Sequence, residues 1–105
     1  QQTVITQPQG VTTLNKSGTI AVTNTFQQVL AASTNTRGRT GCLVQNNGSN
    51  AMYVFAGAIS SATTAKSVKL ASGQGFNCST GNGGVLKDQI SITGTSGDAF
   101  YAGEQ

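Results

Sequence analysis

Covalent chemistry and metal binding both need acids, bases, nucleophiles or ligands that converge, and this sequence holds few of them. Histidine is absent, which removes the side chain most often used as a general base and as a ligand for transition metals. The carboxylates are Asp88, Asp98 and Glu104. A hydrolytic acid/base pair needs two carboxyl groups held in contrasting environments, and the spacing of these three brings no two of them together. Asp88 reads as a turn residue ahead of the Gln89 strand, and Asp98 as another after Gly97. Cys42 and Cys78 supply at most half of a tetrahedral zinc shell and have no carboxylate beside them in sequence. Cys42 lies in the apolar run Gly41-Cys42-Leu43-Val44, which reads as a buried free thiol, with a bridge to Cys78 as the alternative. Gly73-Gln74-Gly75 and Gly81-Asn82-Gly83-Gly84 match neither phosphate-loop nor dinucleotide spacing and read as turns. The sequence therefore points away from an enzyme, and no cofactor or metal is expected.

Binding is the remaining class of activity. Six Lys and Arg against three Asp and Glu leave a net charge of +3, too diffuse for the clustered basic stripe that nucleic-acid binding needs. The one local concentration is Arg37 and Arg39 in Thr36-Arg37-Gly38-Arg39-Thr40, either a solvated loop or a contact for an anion or a partner. No stretch approaches the roughly 18 apolar residues of a membrane helix. A start at Gln1-Gln2 reads as a chain that has lost something ahead of it, whether an initiator, an arm or a removed peptide. The triplets at Asn15, Asn47 and Asn77 match the glycosylation pattern no more often than this composition produces by chance. With no Trp, two Tyr and four Phe, flat rings for stacking on sugars are scarce.

The elements that would position a binding surface are strands. Of 105 residues only 9% are charged and 36% hydrophobic, so neither the high charge of a disordered chain nor the exposed Glu and Lys of long helices is present. Ser, Thr, Asn and Gln number 43 and Gly 14, the composition of Thr-faced strands and tight turns. Alternation marks Thr19-Ile20-Ala21-Val22-Thr23, Ser67-Val68-Lys69-Leu70 and Gln89-Ile90-Ser91-Ile92-Thr93 as strands with one wet face. Gly41 to Val44 and Ala51 to Ala56 read as a hairpin joined through Asn47-Gly48-Ser49-Asn50. Asn24 to Ala32 fits either a helical turn, with Phe26, Val29 and Leu30 on one side, or a strand using Phe26, Gln28 and Leu30. Ala58 to Ala65 reads as a loop or short helix. Residues 1–14, with the only proline at Pro8, read as an extended arm, an edge strand or a swapped segment. The whole predicts an antiparallel β-sandwich, jelly-roll or Greek-key-like, of about seven to nine short strands over residues 15–105.

Three runs break the wet-face rule. Gly41 to Val44, Ala51-Met52-Tyr53-Val54-Phe55-Ala56 and Ala99-Phe100-Tyr101-Ala102 are apolar on both sides. A chain of this length covers only about two-thirds of its surface on folding, so strands apolar on both faces favour association with further copies. Met52, Tyr53, Phe55, Phe100 and Tyr101 are the candidates for core and subunit interface. Contact with a partner falls to Arg37 and Arg39 or to the arm.

Arg39-Thr40-Gly41-Cys42-Leu43-Val44-Gln45-Asn46-Asn47-Gly48, then Met52-Tyr53-Val54-Phe55 with Gly57-Ala58, Val68-Lys69-Leu70, Ile90-Ser91-Ile92-Thr93-Gly94 and Gly97-Asp98-Ala99-Phe100, form a pattern that resembles small structural proteins of tailed bacteriophages. The resemblance spans roughly residues 37–102. It implies a β-sandwich, often a homotrimer, bound to the major capsid protein or another virion protein on the capsid exterior, as a decoration protein or fibre base. The alternative is a glycan- or host-surface-binding module of an adhesin or fibre, suggested by the Asn, Gln and Ser of the loops.

Overall fold

A computed structural model of the chain describes residues 14–32, 41–78 and 88–104. Nine short strands occupy them: β1 (Leu14–Asn15), β2 (Gly18–Thr19), β3 (Gln27–Leu30), β4 (Cys42–Asn46), β5 (Met52–Ala56), β6 (Val68–Leu70), β7 (Gly75–Asn77), β8 (Ile90–Thr93) and β9 (Ala99–Glu104). Two single-turn 3₁₀ helices, Ile59–Ser61 and Thr64–Lys66, fill the stretch that read as a loop or short helix. The remaining residues, including the arm up to Thr13 and the Arg37 to Arg39 loop, lie outside the described residues.

The strands form two sheets, and every pairing is antiparallel. One sheet runs β1-β9-β4-β7 with β2 also on β9, and the other runs β3-β8-β5-β6. The pairs nest: β1 and β2 with β9, β3 with β8, β4 with β7, and β5 with β6. The chain is thus one long hairpin rolled up on itself, whose successive strands alternate between sheets except at β1–β2 and β5–β6. That winding is the jelly roll, an architecture that shortens and buries strand edges. β1 and β2 share one register along β9, Leu14 opposite Glu104 and Thr19 opposite Ala99. Between them the Lys16 N–H donates to the Ala102 carbonyl at 2.7 Å, while the Ser17 hydroxyl accepts from the Ala102 N–H at 3.0 Å.

Alternation builds the core. Val44 lies opposite Ala102, Val54 opposite Ile92, Met52 opposite Leu70 and Ala56 opposite Ile90; these side chains, with Ile20, Leu30 and Phe100, fill the space between the sheets. Truncating one of the fully buried members, such as Ile92 or Met52, removes about 2–5 kcal/mol.

Four expectations need correction. The expected hairpin between β4 and β5 does not form, because the two strands lie in different sheets. A two-residue Asn-Gly hairpin turn requires positive φ at both central residues, and neither Asn47 nor Gly48 has it. Asn46 diverts the chain instead. Its buried Oδ1 accepts from the Gly48 N–H at 2.8 Å, and its Nδ2 donates to the carbonyls of Asn50 at 2.8 Å and Leu70 at 2.9 Å. The strand expected over Thr19 to Thr23 stops at Thr19. Ile20 turns into the core while Val22 is 57% exposed, because the Gln27 amide accepts from the Ala21 N–H at 2.8 Å and donates to the Thr19 carbonyl at 3.1 Å. These bonds bend the chain across to the other sheet. Asn24 to Ala32 resolves as strand β3 without the helical turn. A bulge between Gln28 and Leu30 leaves Phe26 and Gln28 on the outer face and turns Leu30 inward, so the three do not share a face. The wet-face pattern also fails at both ends of its range. β8 is buried along its whole length, whereas Val68 on edge strand β6 is 47% exposed.

The cysteines are bonded to each other, which overturns the free-thiol reading. Cys42 and Cys78 continue the β4–β7 ladder as directly opposed residues, with Cα atoms 5.4 Å apart and the Cys78 N–H donating to the Cys42 carbonyl. Both are buried in the core cluster. Sequence adjacency concealed the pair because the partner strands are brought together only by the roll. In the chain-entropy picture a bridge across 36 residues stabilises the fold by about 4 kcal/mol. The denatured, unreduced protein is expected to give no reaction in a thiol assay. Cys42→Ala combined with Cys78→Ala is expected to lower unfolding free energy by about 3–4 kcal/mol in a urea titration.

Candidate interaction surface

Asp98 and Glu104 flank opposite ends of β9. Asp98 ends the Thr95–Asp98 turn, where its Oδ2 accepts from the backbone N–H of Asn50 at 3.2 Å and from the Asn50 side-chain amide at 3.1 Å. Glu104 closes β9, and Asp88 precedes β8 beside a shallow, open depression of about 440 Å³ lined by Ala32, Gly57, Ala58 and Gln89. Among the described residues no three His, Cys, Asp or Glu side chains are grouped to hold a metal ion, and no helix is long and apolar enough to cross a membrane.

The distinctive surface is the outer face of the β3-β8-β5-β6 sheet. Gln28 lies opposite Ser91, Ser91 opposite Phe55, and Thr93 opposite Tyr53, so β8 presents hydroxyls where β5 presents rings. Phe26, just ahead of β3, meets Phe55 edge to face, with ring centroids 6.4 Å apart and planes at 70°. Phe26, Tyr53 and Phe55 are each half-buried. On the same side of β8 the Ser91 Oγ and Thr93 Oγ1 are buried and have no hydrogen-bond partner among the described residues. A hydroxyl held that way costs about 1–3 kcal/mol.

Gln89 frames the rings on one side. Its Oε1 accepts from the Ile59 N–H at 2.8 Å and its Nε2 donates to the Gln28 side-chain carbonyl. Gly57 has a φ of +133° and lies so close to the Phe55 ring that an added Cβ would stand 3.2 Å from it. Only glycine serves both demands at once.

The opposite outer face, on the β9-β4-β7 sheet, carries a second apolar patch. Tyr101 lies opposite Gln45 and Leu43 opposite Gly103. Tyr101 is half-buried and Leu43 38% exposed. The Gln45 amide donates to the Gly73 carbonyl at 3.2 Å, which holds its side chain against the sheet beside Tyr101.

The five candidate residues therefore divide three ways. Met52 and Phe100 are in the core, Tyr53 and Phe55 form part of one outer face, and Tyr101 belongs to the other. Arg37 and Arg39 lie outside the described residues. Sequence reasoning missed Phe26 as a surface ring; the signal available was its position two residues before Gln28 on a strand, and the bulge hid it. It also missed that Ser91 and Thr93, polar and on the outward side of β8, would be covered. No protein family, curated protein or solved structure matches this chain.

Because the Thr93 hydroxyl is buried without a partner among the described residues, Thr93→Val is expected to raise unfolding free energy by about 1 kcal/mol. Phe55→Ala is expected to lower it by about 1–3 kcal/mol, since it removes a half-buried ring that packs against Phe26. Paired urea titrations check both signs.

Proposed function

We propose that this chain is a non-enzymatic structural protein of a bacteriophage virion, which forms a homotrimer and attaches to the capsid exterior as a decoration or fibre-base protein, with the major capsid protein as its partner. The observation that carries this reading is the pair of apolar patches on opposite outer faces of one small sandwich: Phe26, Tyr53 and Phe55 on one, Leu43 and Tyr101 on the other. Apolar rings left partly exposed on an outer face of a small domain suit contact with another protein. Two unlike patches suit head-to-tail contacts, which form a ring such as a trimer when the rotation between successive copies closes and an open filament when it does not, whereas a two-fold dimer would bury the same patch on both copies. The jelly-roll winding recurs in viral capsid and lectin domains; it supports a binding role without choosing between those two, because fold does not dictate function. The scarcity of convergent acids and bases supports the absence of catalysis.

The glycan-binding alternative draws less support. Sugar rings stack on flat aromatic faces, and Phe26 and Phe55 stand edge to face at 70° instead of forming one flat platform.

The virion assignment is tested by peptide mass analysis of purified particles from the source of this chain. Stoichiometric recovery supports it, and absence from the particles overturns it. The head-to-tail arrangement is tested with Tyr53→Ser and Tyr101→Ser. Each variant alone is expected to be monomeric by light scattering, and an equimolar mixture is expected to give a two-chain species, since one intact face of each kind remains. A variant that keeps the full wild-type size contradicts the arrangement.

A further inference from the structure

Asn47-Gly48 sits at the most tightly tied corner of the fold, and its chemistry there is independent of what the protein binds. An Asn-Gly step is prone to intramolecular imide formation, because glycine has no side chain to hinder its own backbone nitrogen. The Gly48 nitrogen attacks Cγ of Asn47 and the new N–C bond forms. The Cγ–Nδ2 bond breaks, and ammonia leaves with the proton that Gly48 gave up. Water then adds across either C–N bond of the imide, leaving aspartate or isoaspartate at position 47.

The backbone amides of both residues are tied down. The Gly48 N–H donates to Asn46 Oδ1 at 2.8 Å, so the proton that must leave is engaged, and the nitrogen is fixed in its amide plane. The Asn47 N–H donates to the Ala99 carbonyl at 3.1 Å, which pins the other side of the residue that would have to rotate. Asn46 itself cannot yield easily. It is wholly buried, with its amide on the Asn50 and Leu70 carbonyls, its N–H on the Gln74 carbonyl at 2.9 Å and its own carbonyl accepting from Gly73 at 2.7 Å. Gly48 is boxed in as well, since an added Cβ would lie 2.6 Å from Asp98 Cβ. Asn47, by contrast, is exposed, so water and hydroxide reach it freely.

We infer that Asn47 is a latent deamidation site whose native lifetime is set by Asn46, acting as a guard that sequesters the Gly48 N–H. Reaction in the native protein then requires local opening of the 46–50 link, and the rate falls by a factor of ten for every 1.4 kcal/mol of opening free energy. Once formed, the aspartate or isoaspartate adds a negative charge next to the Asp98 corner. Like-charge repulsion there works against the Asn50 contacts to Asp98 that tie the link down.

Peptide mapping with isoaspartate detection, at one mildly alkaline pH, compares native protein, protein denatured in urea, and variants. Asn47 in the native protein is expected to convert at least about tenfold more slowly than in urea. Asn46→Ala, checked for folding by near-ultraviolet circular dichroism under the same conditions, is expected to bring the native rate at least about fivefold closer to the denatured one. Asn46→Ser, whose hydroxyl still offers an acceptor to the N–H two residues on, is expected to stay slow. If Asn46→Ala does not fold, the serine variant decides, and a rate as fast as in urea in its folded form overturns the guard. Equal rates in native and denatured wild type, or an alanine variant that folds and stays as slow as wild type, overturn it too.

Discussion

The buried amide of Asn46 is the constraint on which the rest of the fold depends. It closes β4 in one sheet and donates to Leu70 at the end of β6 in the other, so one side chain spans both layers at their shared end. With all its donors and acceptors engaged, it avoids the penalty of a buried unpaired amide and specifies one geometry where an apolar residue would allow several. The choice it makes is topological. By capping Gly48 it prevents the tight turn that would pair β4 with β5, and the chain crosses to the other sheet. Asp98 holds the far side of that crossing through Asn50.

The roll in turn determines what each strand shows to solvent. Because β8 lies between β3 and β5, its outward Ser91 and Thr93 are flanked by Gln28 on one side and by Tyr53 and Phe55 on the other. The disulfide closes the other sheet between β4 and β7, stiffening the face that carries Leu43 and Tyr101. Two apolar faces on opposite sides of a small domain follow from strands that are apolar on both sides when the interior has room for only one side of each.

Much of this could be read from the residues alone. The all-β class followed from alternation at Ile90/Ile92 and Met52/Val54 with glycine-rich stops between, because period-2 burial is a local property. The surplus of apolar strand faces was visible for the same reason, and Tyr53, Phe55 and Tyr101 do lie half-buried on the outside. What escaped was long-range. Asn47-Gly48 carries the composition of a hairpin turn, and only the Leu70 and Asn50 carbonyls, brought close by the roll, show why Asn46 overrides it. The Cys42–Cys78 bond joins strands 36 residues apart, and an apolar neighbourhood alone does not separate a thiol from a bridge. Leu30 left the face it would share with Phe26 because one extra residue in β3 reversed the parity of the strand beyond Gln28.

The central claim is that the two outer faces bind each other in successive copies. Sedimentation equilibrium of the unaltered chain across the micromolar range tests it most directly. A single species of three chains, persisting on dilution through that range, is the expected result; a monomer at every concentration would contradict the account.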